Sequence, residues 1–318
     1  MEILEKIEIK NKSDLIFLKH TLRNYEYLTP DISFYSFALM ELGTNLLKHT
    51  SNGGYFYFLQ KDKQLIIASL DYSNGIKDIS WAIQKGHSSL KDSLGIGLYK
   101  LSTNKDYHFE IFSLEKEGTI TLLYPKNLND SIIYFSEPYL NKKNNGDFFS
   151  QKGKFFLFGD ASGHTIKAKK TADYITKHFF NNRLSCIMID EFFSEISCII
   201  KQANMRSAVF CIIEKIKNSI NICGVGNIDI WHLNYNSHKY HSLKNGIVGE
   251  VYSDITNLHL NLEIKDKLVL STDGIRKNKL HFLEKLYRYS NIMGGLAMVH
   301  FAGDAMDDKS VLIIRNEV

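Results

Sequence analysis

The sequence predicts an α+β chain in two parts, and three observations carry that prediction. At 318 residues the chain is long enough for two ordinary domains. Its apolar runs change character midway, from short strands around two helical segments to longer strands separated by helical runs. Between them lies "NLNDSIIYFSEPYLNKKNNG", polar around one short strand. That tract marks a linker and first-strand region at 127–146, between parts spanning 1–126 and 147–318.

Composition narrows the class. Hydrophobic residues at 44% and charged residues at 23% fit a folded domain protein. A net charge of +4, without clustering, gives no footprint for nucleic acid. No apolar run approaches the ~20 residues of a membrane span. The start, "MEILEKIEIK", carries acids where a signal peptide carries basic and then apolar residues. Cys186, Cys198, Cys211 and Cys223 form no CxxC pair and read as buried thiols of a reducing compartment. A cytoplasmic protein without membrane contact is expected.

In the first part, "SFYSFALMELGTNLLKHT" spaces Phe37, Met40 and Leu47 for a helix, with Ser33 as its cap. Glu41, Asn45 and His49 then fall on one helix face. The Asn45 carboxamide oxygen can ligate a Mg²⁺ that bridges phosphates, and Glu41 can orient a nucleophile. An ordinary polar helix face reads the same way when taken alone. After the turn "SNGG" come "YFYFLQ" and "QLIIASLDY", a hairpin-like strand pair. The second strand ends on Asp71, whose carboxylate can accept the amine hydrogen of adenine, with Gly75 allowing close approach. "SLGIGLYKLS" is a glycine-rich turn, with Gly95 and Gly97, leading into a helix whose N–H groups can hold phosphate.

In the second part the strands "KFFLFGD", "RSAVFCIIEKI", "SINICGVG", "IDIWHLNY", "DKLVLSTDG" and "SVLIIR" alternate with helical runs, notably Ile166–Phe180. Ala172, Ile175 and Phe179 share one face of that run. Acids sit at strand ends throughout: Asp160 closes one, Asp273 another, Asp307 and Asp308 precede a third, and Asp147 heads a fourth. Each alone reads as a cap or a turn residue. If the strands lie side by side the acids meet, and such a set of hard oxygen ligands suits Mg²⁺ or Mn²⁺. Two such ions ~3.5–4 Å apart can activate water for in-line attack on phosphorus. His164 stands beside them as a candidate general acid or a structural histidine. His232, His238 and His241 lack a Cys or carboxylate at zinc-like spacing and read as a solvated strand and turn.

"GDASGH", "LVLSTDG" and "DDKSVLII", in this order and with "RSAVFCIIEKI…INICGVGNIDIWHL" between them, resemble the metal-dependent serine/threonine phosphatases of the SpoIIE/RsbX/RsbU branch. The resemblance implies an α-β-β-α fold like protein phosphatase 2C. It also implies metal ligation by Asp160, the Ala161 carbonyl, Asp273 and Asp307, with Asp147 nearby. Thr165 departs from the usual "GHG", and Ala161 and Ser150 replace commoner residues. The segments around Asn45, Asp71 and Gly95–Gly97 resemble the N, G1 and G2 boxes of the GHKL (Bergerat) ATP-binding α/β sandwich, near its RsbT/RsbW serine-kinase and anti-sigma branch. "DISWAIQKGHSS" fits that branch as well. Ser73 stands where the first G1 glycine is usual, and a positive φ there would cost a serine energy.

Together the resemblances imply a bacterial signalling enzyme. It would remove phosphate from a phosphorylated STAS-domain protein or similar anti-sigma-factor antagonist, using Mn²⁺ or Mg²⁺, and would carry a fused ATP–Mg²⁺ domain, itself a candidate serine kinase. The competing expectation is a non-catalytic, ATP-dependent partner-binding regulator with a degenerate phosphatase domain.

Overall fold

In the computed structural model, residues 1–86, 96–141, 144–181 and 189–317 are described. They fall into two compact units, Met1–Asn129 and Asp130–Val318. Among the described residues no helix is long and apolar enough to cross a membrane.

The first unit is a five-stranded antiparallel sheet with helices on one face. Its elements are β1 (Glu2–Ile9), α1 (Lys12–Asn24), α2 (Ile32–His49), β2 (Gly54–Lys61), β3 (Gln64–Asp71), α3 (Ile79–Ala82), α4 (Gly97–Ser102), β4 (Tyr107–Leu114) and β5 (Gly118–Pro125). The strand order is β1-β2-β3-β5-β4. Asn11 and Asp14 form a reciprocal capping box that starts α1, worth ~1 kcal/mol. Helix α2 departs from the sequence reading at its cap and its buried face. Asp31 rather than Ser33 caps it, accepting from the Phe34 N–H at 2.9 Å. The buried stripe is Phe34, Tyr35, Ala38, Leu39, Leu42 and Leu46, with Phe37, Met40 and Leu47 only flanking the core. The helix carries apolar residues nearly all round, so periodicity alone did not say which stripe meets the sheet. That stripe packs on Ile7, Ile9, Phe56, Phe58, Ile67 and Leu123.

The second unit has four layers. Its elements are β6 (Ile132–Glu137), β7 (Asp147–Lys152), β8 (Phe155–Ala161), α5 (Ile166–Asn181), α6 (Ile189–Gln202), β9 (Ala208–Ile216), β10 (Ser219–Val225), β11 (Asp229–Leu233), β12 (His238–Ser242), β13 (Thr256–Asn261), β14 (Lys267–Ser271), α7 (Asn291–Ala297) and β15 (Lys309–Arg315). Two five-stranded antiparallel sheets result, ordered β13-β10-β9-β8-β7 and β12-β11-β14-β15-β6. Strand β8 shows why they stack. Phe156 and Phe158 enter the core between the sheets, against Ile213, Ile230, Leu268, Leu270 and Leu312. Phe155 and Leu157 point the other way, into the core beneath α5 and α6. There Phe193 stacks on Phe210 with ring centroids 4.3 Å apart. Each such burial contributes roughly 1.5–3 kcal/mol. Helix α7 is buried along its whole length and contacts β15 and β6.

The expected burial of the cysteines holds for Cys211 but not for Cys198, which is exposed on the outer side of amphipathic α6. Cys186 lies outside the described residues.

Candidate functional site

In the second unit the sheet register brings the acids together. Strands β7 and β8 pair antiparallel with Asp147 directly opposite Asp160. Gly274 lies so close to the Asp308 carbonyl that a Cβ would overlap it, which draws the Asp273 turn against the Asp307–Asp308 turn. Asp160 therefore feels Asp273, Asp307 and Asp308 at once. Desolvation first, and then these like charges, push its carboxyl up to about 7. Burial, with Asp160 facing it, pushes Asp147 well above the ordinary carboxylate range. Asp307 is raised for the same reasons, burial first and Asp273 second.

The surrounding hydrogen bonds sort the acids. Asp147 Oδ2 accepts from the Thr272 hydroxyl at 3.0 Å, while its buried Oδ1 has no hydrogen-bond partner among the described residues. Asp273 Oδ2 accepts from Asn227 Nδ2 at 2.7 Å. Asp307 Oδ1 accepts from the Asp308 N–H at 2.8 Å. His164 lies between two carboxylates, its Nδ1 3.2 Å from Asp308 Oδ2 and its Nε2 3.5 Å from Asp307 Oδ1. The Tyr139 ring stacks on it at 4.8 Å.

Sequence reasoning missed the role of Asp308. Only 2% exposed, it accepts from the Tyr139 N–H at 2.6 Å and the Gly146 N–H at 2.9 Å, besides contacting His164. Two adjacent acids before a strand alternate in direction, so one of them must turn inward. That was the available signal. Thr272 and Asn227 were also missed, because nothing local distinguishes a hydroxyl or amide that supports a distant carboxylate.

These residues fit a divalent cation. The donors are all oxygens, the type that Mg²⁺ and Mn²⁺ prefer. A buried carboxylate oxygen without a hydrogen-bond donor is costly unless a cation meets it. Gly146 completes the cradle: a Cβ there would lie 2.6 Å from the Ala161 carbonyl oxygen and 3.0 Å from Asp160 Oδ1. Among the described residues no three His, Cys, Asp or Glu side chains stand as a finished ligand cluster. Asp273 and Asp307 instead accept from protein donors, Asn227 Nδ2 and the Asp308 N–H.

The histidines of "WHLNYNSHKYH" pair separately. His232 Nε2 is 2.7 Å from Asp266 and His238 Nδ1 is 3.0 Å from Glu284.

The first unit holds a cavity of about 460 Å³, lined by Glu41, Asn45, His49, Asp71, Ser73, Gly75 and Gly97 among others. Gly95 lies outside the described residues. Asn45 Nδ2 contacts Glu41 Oε1 at 3.4 Å, which turns the carboxamide oxygen the other way. Gly75 has φ +70°, and a Cβ there would collide with the Leu114 carbonyl. Gly97 faces a different demand from the expected phosphate approach, since a Cβ on it would overlap the Glu41 carboxylate. Burial raises the Asp71 carboxyl, partly offset by Ser73. It lowers His49, with Lys48 adding to the effect.

Ser73 corrects an expectation. It is absent from the residues with positive φ, so the foreseen backbone cost is not incurred. Its N–H donates to Asp71 Oδ1 at 2.9 Å and its hydroxyl donates to the same atom. The departure from glycine acts through the side chain, which adds a second donor to one oxygen of the carboxylate assigned to adenine.

No family model matches the chain, and no curated protein matches it. Solved structures do. PppA, a key regulatory component of T6SS in Pseudomonas aeruginosa, is similar at 11% identity and a TM-score of 0.50, over 58% of this chain and 96% of that one. RsbX in complex with magnesium has 14% identity and a TM-score of 0.46, covering 65% and 98%. The catalytic domain of the serine/threonine protein phosphatase PstP, in complex with two manganese ions, has 12% identity and a TM-score of 0.47, covering 57% and 96%. The share that PppA covers matches the size of the second unit. At 11% identity the likeness to PppA is one of fold alone.

Proposed function

We propose that the second unit is a metal-dependent phosphoserine protein phosphatase and that the first unit binds ATP with Mg²⁺. The observation that carries the phosphatase reading is the convergence of Asp147, Asp160, Asp273 and Asp307 from separate strand ends, with Asp147 directly opposite Asp160 and the carboxyls of Asp147, Asp160 and Asp307 raised by burial first and a neighbouring acid second. Asp160, the Ala161 carbonyl, Asp273 and Asp307 would hold two Mn²⁺ or Mg²⁺ ions, with Asp147 beside them. Such a pair, when bound, supplies an activated water and polarises the phosphoryl oxygens.

The chain's own groups do the rest. Asp308 ties Gly146 and His164 to the acid cluster, and Thr272 holds one oxygen of Asp147, which would leave the other for a cation. His164, between Asp307 and Asp308, would hand a proton to the serine oxygen as its bond to phosphorus breaks. Water attacks phosphorus, serine leaves with a proton, and inorganic phosphate is released without a phosphoenzyme.

In the first unit, the Asp71 carboxylate would accept the adenine amine and the Asn45 carboxamide oxygen would take the Mg²⁺. Gly75 and Gly97 would border the nucleotide, and Glu41 would orient an accepting serine. The substrate in this reading is a phosphorylated STAS-domain protein or related anti-sigma-factor antagonist, and the setting is cytoplasmic signalling. A second reading has the first unit docking a partner without turnover, and the donation of both Ser73 groups to Asp71 favours it.

The test is phosphate release from a phosphoserine STAS protein, with Mn²⁺ and with chelator. Release that requires Mn²⁺ supports the phosphatase. No release under either condition overturns it.

A further inference from the structure

The loop between β12 and β13 contains no motif singled out in the sequence, yet it connects through Ser207 to the turn after β8. Val248 exchanges both backbone hydrogen bonds with Ala208, at 2.8 and 3.0 Å. The Gly249 N–H donates to the Ser197 hydroxyl of α6 at 3.2 Å. Gly249 has φ +91°, and a Cβ there would strike Ile200, so glycine alone fits this anchor. Glu250 is thereby held beside Ser207, whose buried hydroxyl donates to Glu250 Oε1 at 2.7 Å.

Ser207 in turn grips the turn after β8 twice. Its carbonyl accepts from the Ser162 N–H at 2.8 Å. Its hydroxyl lies 3.1 Å from the Ser162 hydroxyl. A serine has one hydroxyl proton and a carboxylate only accepts, so with Ser207 donating to Glu250 the second contact must run from Ser162 to Ser207. The chain of donors has one direction. The Ser162 N–H and the Ala161 C=O belong to one trans peptide unit and point oppositely. Holding the N–H on Ser207 therefore aims the Ala161 carbonyl away from Ser207, toward Gly146 and Asp160 Oδ1.

We propose that Glu250 is a positioning residue for the metal centre: through Ser207 it fixes the Ala161–Ser162 peptide, and so the direction of the Ala161 carbonyl. This rests on the metal-dependent reading above. Partners of metal ligands that act by orientation typically govern ~10–100-fold in affinity, and Glu250 acts one residue further out.

The experiment titrates the full chain with Mn²⁺, reading free ion by electron paramagnetic resonance. It also follows exchange of the Ser162 amide in metal-free protein. Glu250→Ala should weaken Mn²⁺ binding about tenfold and speed Ser162 exchange. Glu250→Gln keeps an acceptor oxygen and should restore both. Ser207→Ala breaks the same link without altering the loop and should match Glu250→Ala. Equal Mn²⁺ affinity in Glu250→Ala and the unmodified chain overturns this inference alone, as does a Gln variant no better than Ala. Absence of Mn²⁺ binding to the unmodified chain overturns the metal reading and this inference with it.

Discussion

In the second unit, Asp147 and Asp160 face each other across adjacent strands, and one buried oxygen of Asp147 meets no donor among the described residues. In the first unit, Asp71 also ends a strand and is also buried, yet its Oδ1 already holds two donors from Ser73. Around it, Ser69 bonds Thr121 at 2.6 Å and Ser113 bonds Thr119 at 3.0 Å. The two carboxylates thus differ in how far the protein itself satisfies them. A cluster of acids that repel one another is incomplete until a cation arrives. A cavity whose polar groups satisfy each other can persist empty, and its ligand must compete with existing hydrogen bonds.

Asp273 should be the most sensitive position in the second unit. Replacing it with Asn keeps a partner for Asn227 but removes a charge from the cluster. Hydrolysis of a phosphoserine protein should fall more than ~100-fold, beyond the loss typical of a supporting residue, while the circular dichroism spectrum stays unchanged. Near-normal turnover would mean that the acids are structural.

A supporting position should cost less. Thr272→Val removes the donor to Asp147 Oδ2, and Mn²⁺-dependent turnover should drop ~10-fold. Steady-state kinetics at saturating and limiting Mn²⁺ will show whether the loss lies in metal affinity.

Burial of these acids, reinforced by their mutual repulsion, has a pH signature. Asp160 and Asp147 have folded-state values raised above their unfolded ones, so the folded, metal-free protein holds more protons than the unfolded chain. Its stability must then fall as pH rises from about 4, the unfolded carboxylate value, toward about 7, where Asp160 titrates. A melting temperature lower by ~5 °C or more at the upper end, recovered by Mn²⁺, is expected from several kcal/mol at this size. A flat profile in metal-free protein would show that these carboxyls keep ordinary values in the folded chain.

The smallest effect belongs to the self-satisfied cavity. Ser73→Gly withdraws the hydroxyl donor from Asp71 Oδ1 and should strengthen ATP binding by roughly 3–10-fold, the worth of about one hydrogen bond. Calorimetry with Mg²⁺–ATP reads it directly. Weaker binding would show that Ser73 helps the nucleotide rather than competing with it.

How far the sequence could be read follows the range of the interactions. The acids were visible because each closes or opens an apolar run within a few residues, as in "FLFGD" and "LVLSTDG". Their directions were not, because register decides them: Asp147 meets Asp160 only through the β7–β8 pairing, and Asp308 rather than Asp307 turns inward. Helix α2 was legible in extent, but its core-facing stripe depends on which side the sheet lies. Ser73 was noticed as a departure, though the expected backbone cost gave way to a side-chain hydrogen bond. Glu250 and Ser207, 43 residues apart, left no local signal at all.

If Asp147, Asp160, Asp273 and Asp307, at separate strand ends, form a dication centre, calorimetric titration of the full chain with Mn²⁺, beside Asp160→Asn and Asp273→Asn, will show it. Saturable binding of two ions by the unmodified chain, and loss of at least one in each variant, is expected. No saturable binding at millimolar Mn²⁺, or identical titrations for all three proteins, would contradict it.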